Sequence, residues 1–328
     1  LAEVFITRRI FPEAKEKLEK AGFGYEINDT GKILGKSELL KRVRGKQGLI
    51  PLLNDQVDSE VMDASPDLQV IANLAVGYDN VDVAAATERG IMVTNTPGVL
   101  TETTADLTFG LLLAAARRIT EADSYVRQGD WNGWELMQPQ TGIDVHGKTL
   151  GIVGMGRIGA AVARRAYSGF DMDVVYQSRT RKTGIEAELD SEYLELDELL
   201  ERSDFVSLHV PLTSETKEMI GKKEFELMKD DAVLINVARG PVVDESALVE
   251  ALKSGEIRGA GLDVFEAEPE VHPELKELDE NVVLTPHVGS ASRETRLKIA
   301  EMGIENAIAA LAGEEPPNLV NPEVLSGP

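Results

Sequence analysis

Short apolar runs alternate with amphipathic stretches along the first hundred residues. Runs rich in Val, Ile and Leu at 3–7, 48–53, 68–74 and 91–95 predict strands, and TyrGluIleAsn at 25–28 takes a strand's place in the alternation. Between them, helical periodicity predicts helices over 12–20, 37–44, 58–64 and 81–89. Pro12 opens the first of these, Gly22 and Gly90 close the first and last, and Ser37 is a candidate N-cap for the second. Regular alternation of strand and helix predicts a parallel sheet with helices on both faces.

ThrProGly at 96–98 breaks the alternation and reads as a hinge. The helix predicted over 103–119 is too apolar for a solvated surface, so it is a core helix, a buried subunit interface, or both. Residues 120–147 read as irregular and carry Trp131 and Trp134. A second alternation follows, with strands expected at 149–153, 173–176, 205–209, 232–236, 259–264 and 281–284 and a last helix over 292–311. The run of strands in this second part is that of a dinucleotide-binding fold.

The 328 residues suffice for two domains with buried cores. There is no cysteine, which excludes disulfides and thiolate chemistry, and no histidine spacing fits a metal site. The start of the sequence lacks a basic stretch leading into an apolar signal core, and no run is long enough to span a bilayer; a cytoplasmic location is the expectation. A net charge of −23 argues against nucleic acid or an anionic membrane as a partner. Any local cluster of positive charge on such a surface therefore calls for a specific reason.

GlyMetGlyArgIleGly (154–159) lies between an apolar strand and an Ala-rich helix, the setting in which a GxGxxG binds a dinucleotide. Gly154, Gly156 and Gly159 allow the tight turn and close approach, and N–H groups at the helix start, including those of Arg157 and Ile158, face the pyrophosphate. An NAD site places an acid at the end of the next strand to bind the ribose 2′-hydroxyl. Here that strand ends GlnSerArgThrArgLys (177–182), and Asp173 is at its other end. Ser178, Arg179 and Thr180 can instead donate to a 2′-phosphate, with Arg181 and Lys182 adding charge, so NADP(H) is the expected cofactor.

Ketone reduction by hydride needs a proton donor, usually a group titrating near neutrality. Of the four histidines, His287 follows a predicted strand in ThrProHisValGly, whereas His146 and His272 lie in polar stretches and read as surface residues. Arg239 in AsnValAlaArgGly and Glu268 ahead of Pro269 also follow predicted strands. Three successive strand ends thus offer an arginine, a glutamate and a histidine.

These stretches, together with AlaValGlyTyrAspAsnValAsp (75–82), AsnThrProGly (95–98) and GlyLeuAspValPheGluAlaGluPro (261–269), resemble the D-isomer-specific 2-hydroxyacid dehydrogenases, and among them the glyoxylate/hydroxypyruvate reductases. The resemblance implies roles residue by residue. Arg239 binds the substrate carboxylate and helps polarise the ketone, His287 exchanges the proton with the carbonyl oxygen, and Glu268 pairs with His287 and favours its charged form. The N–H groups of Val76 and Gly77 receive the carboxylate from the other domain, and Leu53 joins them at the substrate. Asp263 binds the nicotinamide carboxamide with Thr104 near that ring; His209, Val210, Pro211 and Thr216 line the adenine and phosphate side; Val237, Ala238 and Gly289 complete the cofactor contacts.

The implied architecture is two doubly wound parallel-sheet domains with a cleft between them: a flavodoxin-like substrate domain, residues 1–98 plus 289–328, and a Rossmann cofactor domain, residues 99–288. The implied reaction is reduction of glyoxylate or hydroxypyruvate by NADPH to the D-2-hydroxy acid, in a homodimer joined near 103–119. The segment 134–142 is more polar than in reductases of this kind, and Trp134 or Met137 is the residue expected to reach a neighbouring subunit's site. A 3-phosphoglycerate dehydrogenase is the rival within the class, disfavoured by the missing acid and by the absence of a regulatory domain after residue 328. Formate dehydrogenase fits less well because its reaction needs no proton shuttle of the Glu268–His287 kind. From a different class, a dinucleotide-sensing corepressor shares the fold.

Overall fold

The structure is a computed structural model that describes residues 3–278 and 280–326. The chain forms two units, residues 1–100 with 291–328, and residues 101–290. In the first, β1 (Glu3–Ile6), α1 (Pro12–Lys20), β2 (Gly24–Ile27), α2 (Lys36–Val43), β3 (Gly48–Ile50), α3 (Ser59–Asp63), β4 (Val70–Ala72), α4 (Val83–Glu88) and β5 (Met92–Thr94) follow one another. Every pairing is parallel, and the sheet order β2-β1-β3-β4-β5 is the flavodoxin-like one.

The second unit holds α5 (Thr101–Ala116), α6 (Ile119–Gln128), β6 (Thr149–Val153), α7 (Arg157–Phe170), β7 (Asp173–Gln177), α8 (Thr183–Leu189), β8 (Glu192–Tyr193), α9 (Leu196–Arg202), β9 (Phe205–Leu208), α10 (Lys222–Leu227), β10 (Val233–Asn236), α11 (Glu245–Ser254), β11 (Gly259–Leu262) and β12 (Val282–Leu284). Its sheet order, β12-β11-β10-β9-β6-β7-β8, is the Rossmann order extended by one strand. The chain then returns to the first unit as α12 (Arg293–Leu311).

Strands covered on both faces are mostly apolar, and β3, β4, β9 and β10 are buried at every position, with Ser207 and Asn236 as their polar members. In the first unit, α12 contributes Ala300, Ile304 and Ala307 to the core on one face with Val4, Ile50 and Val70, while Leu39, Val61 and Ala86 pack with Phe5 and Leu49 on the other. Asp58, Asp82, Asp244 and Ser292 cap α3, α4, α11 and α12 by accepting from the backbone N–H three residues on. No helix among the described residues is long and apolar enough to cross a membrane.

Four local expectations need correction. Ser37 does not cap α2, which starts one residue earlier behind Gly35. The helix over 103–119 ends at Ala116, because Arg118 takes a left-handed conformation with φ 52° and its guanidinium binds Glu121 and the Pro139 carbonyl. The segment after it is not irregular throughout, since α6 follows directly. The two-residue edge strand β8, polar and too short to show a period, escaped the pattern altogether. The buried side chains of α5, among them Phe109, Leu111 and Leu112, belong to the core of their own unit. A run of exposed apolar residues lies further on, at Ile119, Val126, Trp131, Trp134, Leu136 and Met137, apart from the scattered Ile33, Tyr78, Tyr167 and Leu325.

Candidate active site

The turn after β6 is shaped by close approach. Gly154 has φ +101°, and a Cβ there would lie 2.7 Å from the His209 carbonyl carbon. One at Gly159 would lie 2.4 Å from the Gly154 carbonyl oxygen, so helix and strand meet backbone to backbone. At Gly156, by contrast, a Cβ meets nothing within 4 Å, which leaves room at the start of α7. The first turn of α7, with Arg157, Ile158 and Gly159, carries no acidic residue and presents helix-start N–H groups that have no intrahelical acceptor. An open cradle with unpaired donors and the positive end of a helix dipole fits a pyrophosphate.

The Gly154 N–H donates to the Gln177 carbonyl at 2.9 Å, which ties this turn to the end of β7. Beyond it, Arg179 and Thr180 are exposed and Ser178 half-buried. Lys182 Nζ donates to Thr180 Oγ1 at 2.8 Å. Arg181 is engaged locally: its Nε donates to Glu186 Oε1 at 2.8 Å, beside the Tyr176 hydroxyl on the same carboxylate. The charge expected from Arg181 is thus largely committed to Glu186. Arg179 lies near the 211–216 loop, where the Thr213 and Ser214 hydroxyls, and after them the Arg179 charge, hold the Glu215 carboxyl below its ordinary range. In that loop Thr216 Oγ1 donates to the Pro211 carbonyl at 2.6 Å. Val210 follows His209 half-buried.

His209 is held by its backbone N–H on the Val153 carbonyl, 2.8 Å, and its Nε2 lies 2.9 Å from Ser207 Oγ. Desolvation pushes the ring down to about 3, although the residue keeps some exposed surface. A ring neutral through the physiological range is no general acid. Its folded-state value lies below the ordinary 6.5, so the unfolded chain binds the extra proton and stability falls as pH drops below 6.5. Thermal unfolding followed from pH 7 to 5 is expected to show a shallower acid decline in His209→Asn than in the parent. An unchanged slope would remove His209 as its source.

The ends of β10, β11 and β12 lie side by side, because these strands are neighbours in the sheet. Arg239 follows β10 through Val237 and Ala238. Asn236 clamps this turn, accepting from the Ala238 N–H at 3.0 Å and donating to the Arg239 carbonyl at 3.1 Å. Sequence reasoning gave Asn236 no role; an amide at the last position of a buried strand was the available signal. Gly240 lies against the next loop so closely that a Cβ would sit 1.9 Å from the Phe265 carbonyl carbon.

Glu268 accepts from the Phe265 N–H at 3.1 Å through one oxygen and meets His287 Nδ1 at 2.8 Å through the other. That contact fixes the imidazole ring and leaves Nε2 for proton exchange. Two residues that the sequence did not single out hold the surroundings of this pair. Buried Glu245 accepts from the Glu266 N–H at 2.6 Å, with desolvation raising its pKa. Thr285 donates to Asp263 Oδ1 at 2.6 Å. His272 is half-buried rather than exposed, and its Nδ1 is buried without a hydrogen-bond partner. His146 is exposed, as expected.

Asp263, almost fully buried, organises the His287 turn. Its carboxylate accepts from the Val288 N–H and the Gly289 N–H, both at 2.8 Å, and its carbonyl accepts from the His287 N–H at 2.9 Å. These bonds hold His287 at φ 53°, a strained conformation for a residue with a side chain. Thr104 on α5 donates to the Gly289 carbonyl at 3.3 Å. The structure thereby joins Thr104, Asp263, Gly289, His287 and Glu268 in one hydrogen-bonded group, with the Arg239 turn packed against its Phe265 end. In the first unit, Leu53 sits in a turn whose flanking carbonyls, Leu52 and Asp55, both accept from Asn80 Nδ2 at 3.1 Å. No cluster of potential metal ligands is found among the described residues.

Comparison with known proteins places the chain in a family. Residues 109–289 match the model of the D-isomer specific 2-hydroxyacid dehydrogenase NAD-binding domain. The chain is 53% identical to a glyoxylate reductase of Thermococcus litoralis, over 99% of this chain and 98% of the relative. A solved structure from Thermus thermophilus superposes with a TM-score of 0.91 at 50% identity, covering 97% of this chain and 99% of that one. An NADPH-dependent glyoxylate/hydroxypyruvate reductase of Sinorhizobium meliloti, solved with NADP and malonate, gives 0.84 at 36% identity over 98% and 97% of the two chains. The chain belongs to the D-isomer-specific 2-hydroxyacid dehydrogenase family. It is accordingly an oxidoreductase of small 2-oxo and 2-hydroxy acids with a nicotinamide-dinucleotide domain.

Proposed function

We propose that the chain is a cytoplasmic, NADPH-preferring reductase of glyoxylate and hydroxypyruvate that yields the D-2-hydroxy acid. The observation that carries the reading is the Glu268–His287 contact at 2.8 Å on neighbouring strand ends, a proton donor held in place by a carboxylate. The names of the relatives, glyoxylate reductases at about half identity, support the substrate class.

The bound cofactor supplies the hydride. Within the second unit, His287 Nε2 gives a proton to the carbonyl oxygen as the carbonyl carbon becomes tetrahedral, Glu268 keeps the ring oriented, and Arg239 draws on the carboxylate and carbonyl oxygens. Thr104, Asp263 and Gly289 line the nicotinamide end, Val237 and Ala238 the edge beside it, and His209, Val210, Pro211 and Thr216 the phosphate and adenine side. Within the first unit, Leu53 and the N–H groups of Val76 and Gly77 serve the substrate.

Ser178, Arg179 and Thr180 take the 2′-phosphate. Turnover of glyoxylate, hydroxypyruvate, pyruvate and 3-phosphohydroxypyruvate with NADPH and with NADH tests the reading, and no turnover of any 2-oxo acid would sink it. Arg179→Ala is expected to raise KM for NADPH about 10- to 100-fold and leave that for NADH unchanged, the loss of one or two charge-assisted hydrogen bonds. Equal effects on the two cofactors would assign Arg179 elsewhere. The exposed Trp134, Leu136 and Met137 support a homodimer whose contact includes this segment.

A further inference from the structure

The loop that follows β4 has an unusual distribution of hydrogen bonds. Three consecutive peptide groups, 75–76, 76–77 and 77–78, each have the carbonyl occupied. The Ala75 oxygen accepts from the Thr96 N–H at 2.9 Å. The Val76 oxygen accepts from Asn95 Nδ2 at 2.8 Å, and the Gly77 oxygen from Asn73 Nδ2 at 2.9 Å. No acceptor among the described residues takes the N–H groups of Val76, Gly77 or Tyr78. In a trans peptide the N–H points opposite to the C=O, so fixing each oxygen fixes the direction of the N–H on its other side.

The two side-chain amides are themselves held. Asn73 is fully buried, and its Oδ1 accepts from Asn80 Nδ2 at 3.2 Å. Asn80, also buried, donates to the carbonyls of the turn carrying Leu53. Asn95 is gripped through its backbone: its N–H donates to the Asn318 carbonyl at 3.3 Å and its carbonyl accepts from Asn306 Nδ2 at 3.0 Å. The buried amides of Asn73 and Asn80 are costly unless fully bonded, and a loop could be closed more simply by apolar packing. Their arrangement has one consequence that packing alone does not give, a row of oriented and unpaired N–H donors.

We propose that Asn73 and Asn95 are positioning residues that aim the N–H groups of Val76, Gly77 and Tyr78 at the substrate carboxylate, with Tyr78 supplying a third donor. The inference rests on the proposed reduction of a 2-oxo acid and adds to it the residues that set carboxylate affinity. Donors whose direction is fixed beforehand need no reorganisation when the anion arrives. Neither asparagine touches the substrate; both act through the backbone.

The test is steady-state kinetics on the full chain, with the parent and Asn73→Ser, Asn95→Asp, Asn95→Ala and Asn95→Gln. Parent turnover of glyoxylate comes first; its absence would defeat the functional reading itself and this inference with it. With the parent active, Asn95→Asp and Asn95→Ala are expected to raise KM for glyoxylate and for hydroxypyruvate by a common factor of about 10, one charge-assisted hydrogen bond. KM for the cofactor and kcat should stay within about threefold of the parent, less than that one bond is worth. Asn95→Gln, which keeps an amide donor, should recover part of the loss, and thermal unfolding verifies that each variant is folded. Asn73→Ser provides the second, independent arm at the Gly77 carbonyl. Folded variants with unchanged KM for both acids would overturn the proposal. So would a loss confined to kcat, or one shared equally by the cofactor.

Discussion

Replacing His287 with alanine is expected to lower kcat for glyoxylate reduction by about 10²- to 10⁴-fold, the usual worth of a positioned general acid. The proton has no other donor in this group of residues: Asp263 is committed to the Thr285 hydroxyl and the Val288 and Gly289 N–H groups, and His209, with a pKa of about 3, is neutral and belongs to the turn beside Gly154. Cofactor affinity should change little, because the phosphate-binding turn draws on β6, β7 and α7. Glu268→Gln should fall between the variant and the parent, since the glutamine can keep the ring placed but lacks the charge. Single-turnover measurement with bound NADPH separates the chemical step from product release. A His287→Ala variant that retains kcat within about threefold, far short of the effect of a general acid, would dismiss His287 as the proton donor.

The second large effect is expected at Gly240. A methyl group there would lie 1.9 Å from the Phe265 carbonyl carbon and 2.4 Å from the Glu266 nitrogen, both backbone atoms that cannot rotate away. Accommodating it means moving the turn that carries Arg239 away from the loop that carries Glu268. Gly240→Ala should therefore cost about 3 kcal/mol or more of stability, the upper part of the range for overpacking. A displacement near 1 Å should also cut kcat/KM about 100-fold. Gly156→Ala is the matched contrast. With no atom within 4 Å of the added methyl, it should cost less than about 1 kcal/mol of stability and act on cofactor KM instead. Denaturant unfolding and initial rates on the two variants check both halves; a stable, fully active Gly240→Ala would show that the two loops can slide apart without consequence.

Much of this site was legible along the chain because its residues follow strand ends in order. In a parallel sheet all carboxyl ends lie on one edge, so Arg239, Glu268 and His287 could be placed near one another once the strands at 232–236, 259–264 and 281–284 were recognised. The GxGxxG and the turn after β7 were legible for the same reason. What escaped was a set of residues that hold their neighbours in place. Asn236, Glu245, Thr285, Asn73 and Asn95 are polar residues at strand ends or helix starts, and nothing in their spacing says which carbonyl or N–H they meet. The break at Arg118 was missed because helical periodicity runs through it and only the φ angle departs.

The amino-acid sequence by itself determined the two parallel α/β units, the family, the dinucleotide turn and the three strand-end residues expected to act on the substrate. These depend on period, on glycine spacing and on local order, which are properties of short stretches of chain. Only the tertiary structure decided that Asp263 holds the His287 turn at a positive φ and that Arg181 is bound to Glu186. It also decided that no acceptor among the described residues takes the N–H groups of Val76 and Gly77. Each of these is a contact between residues far apart in sequence or a choice between partners of equal chemistry. Such choices are made by where the backbone runs, and that is fixed only when the sheets and helices have packed.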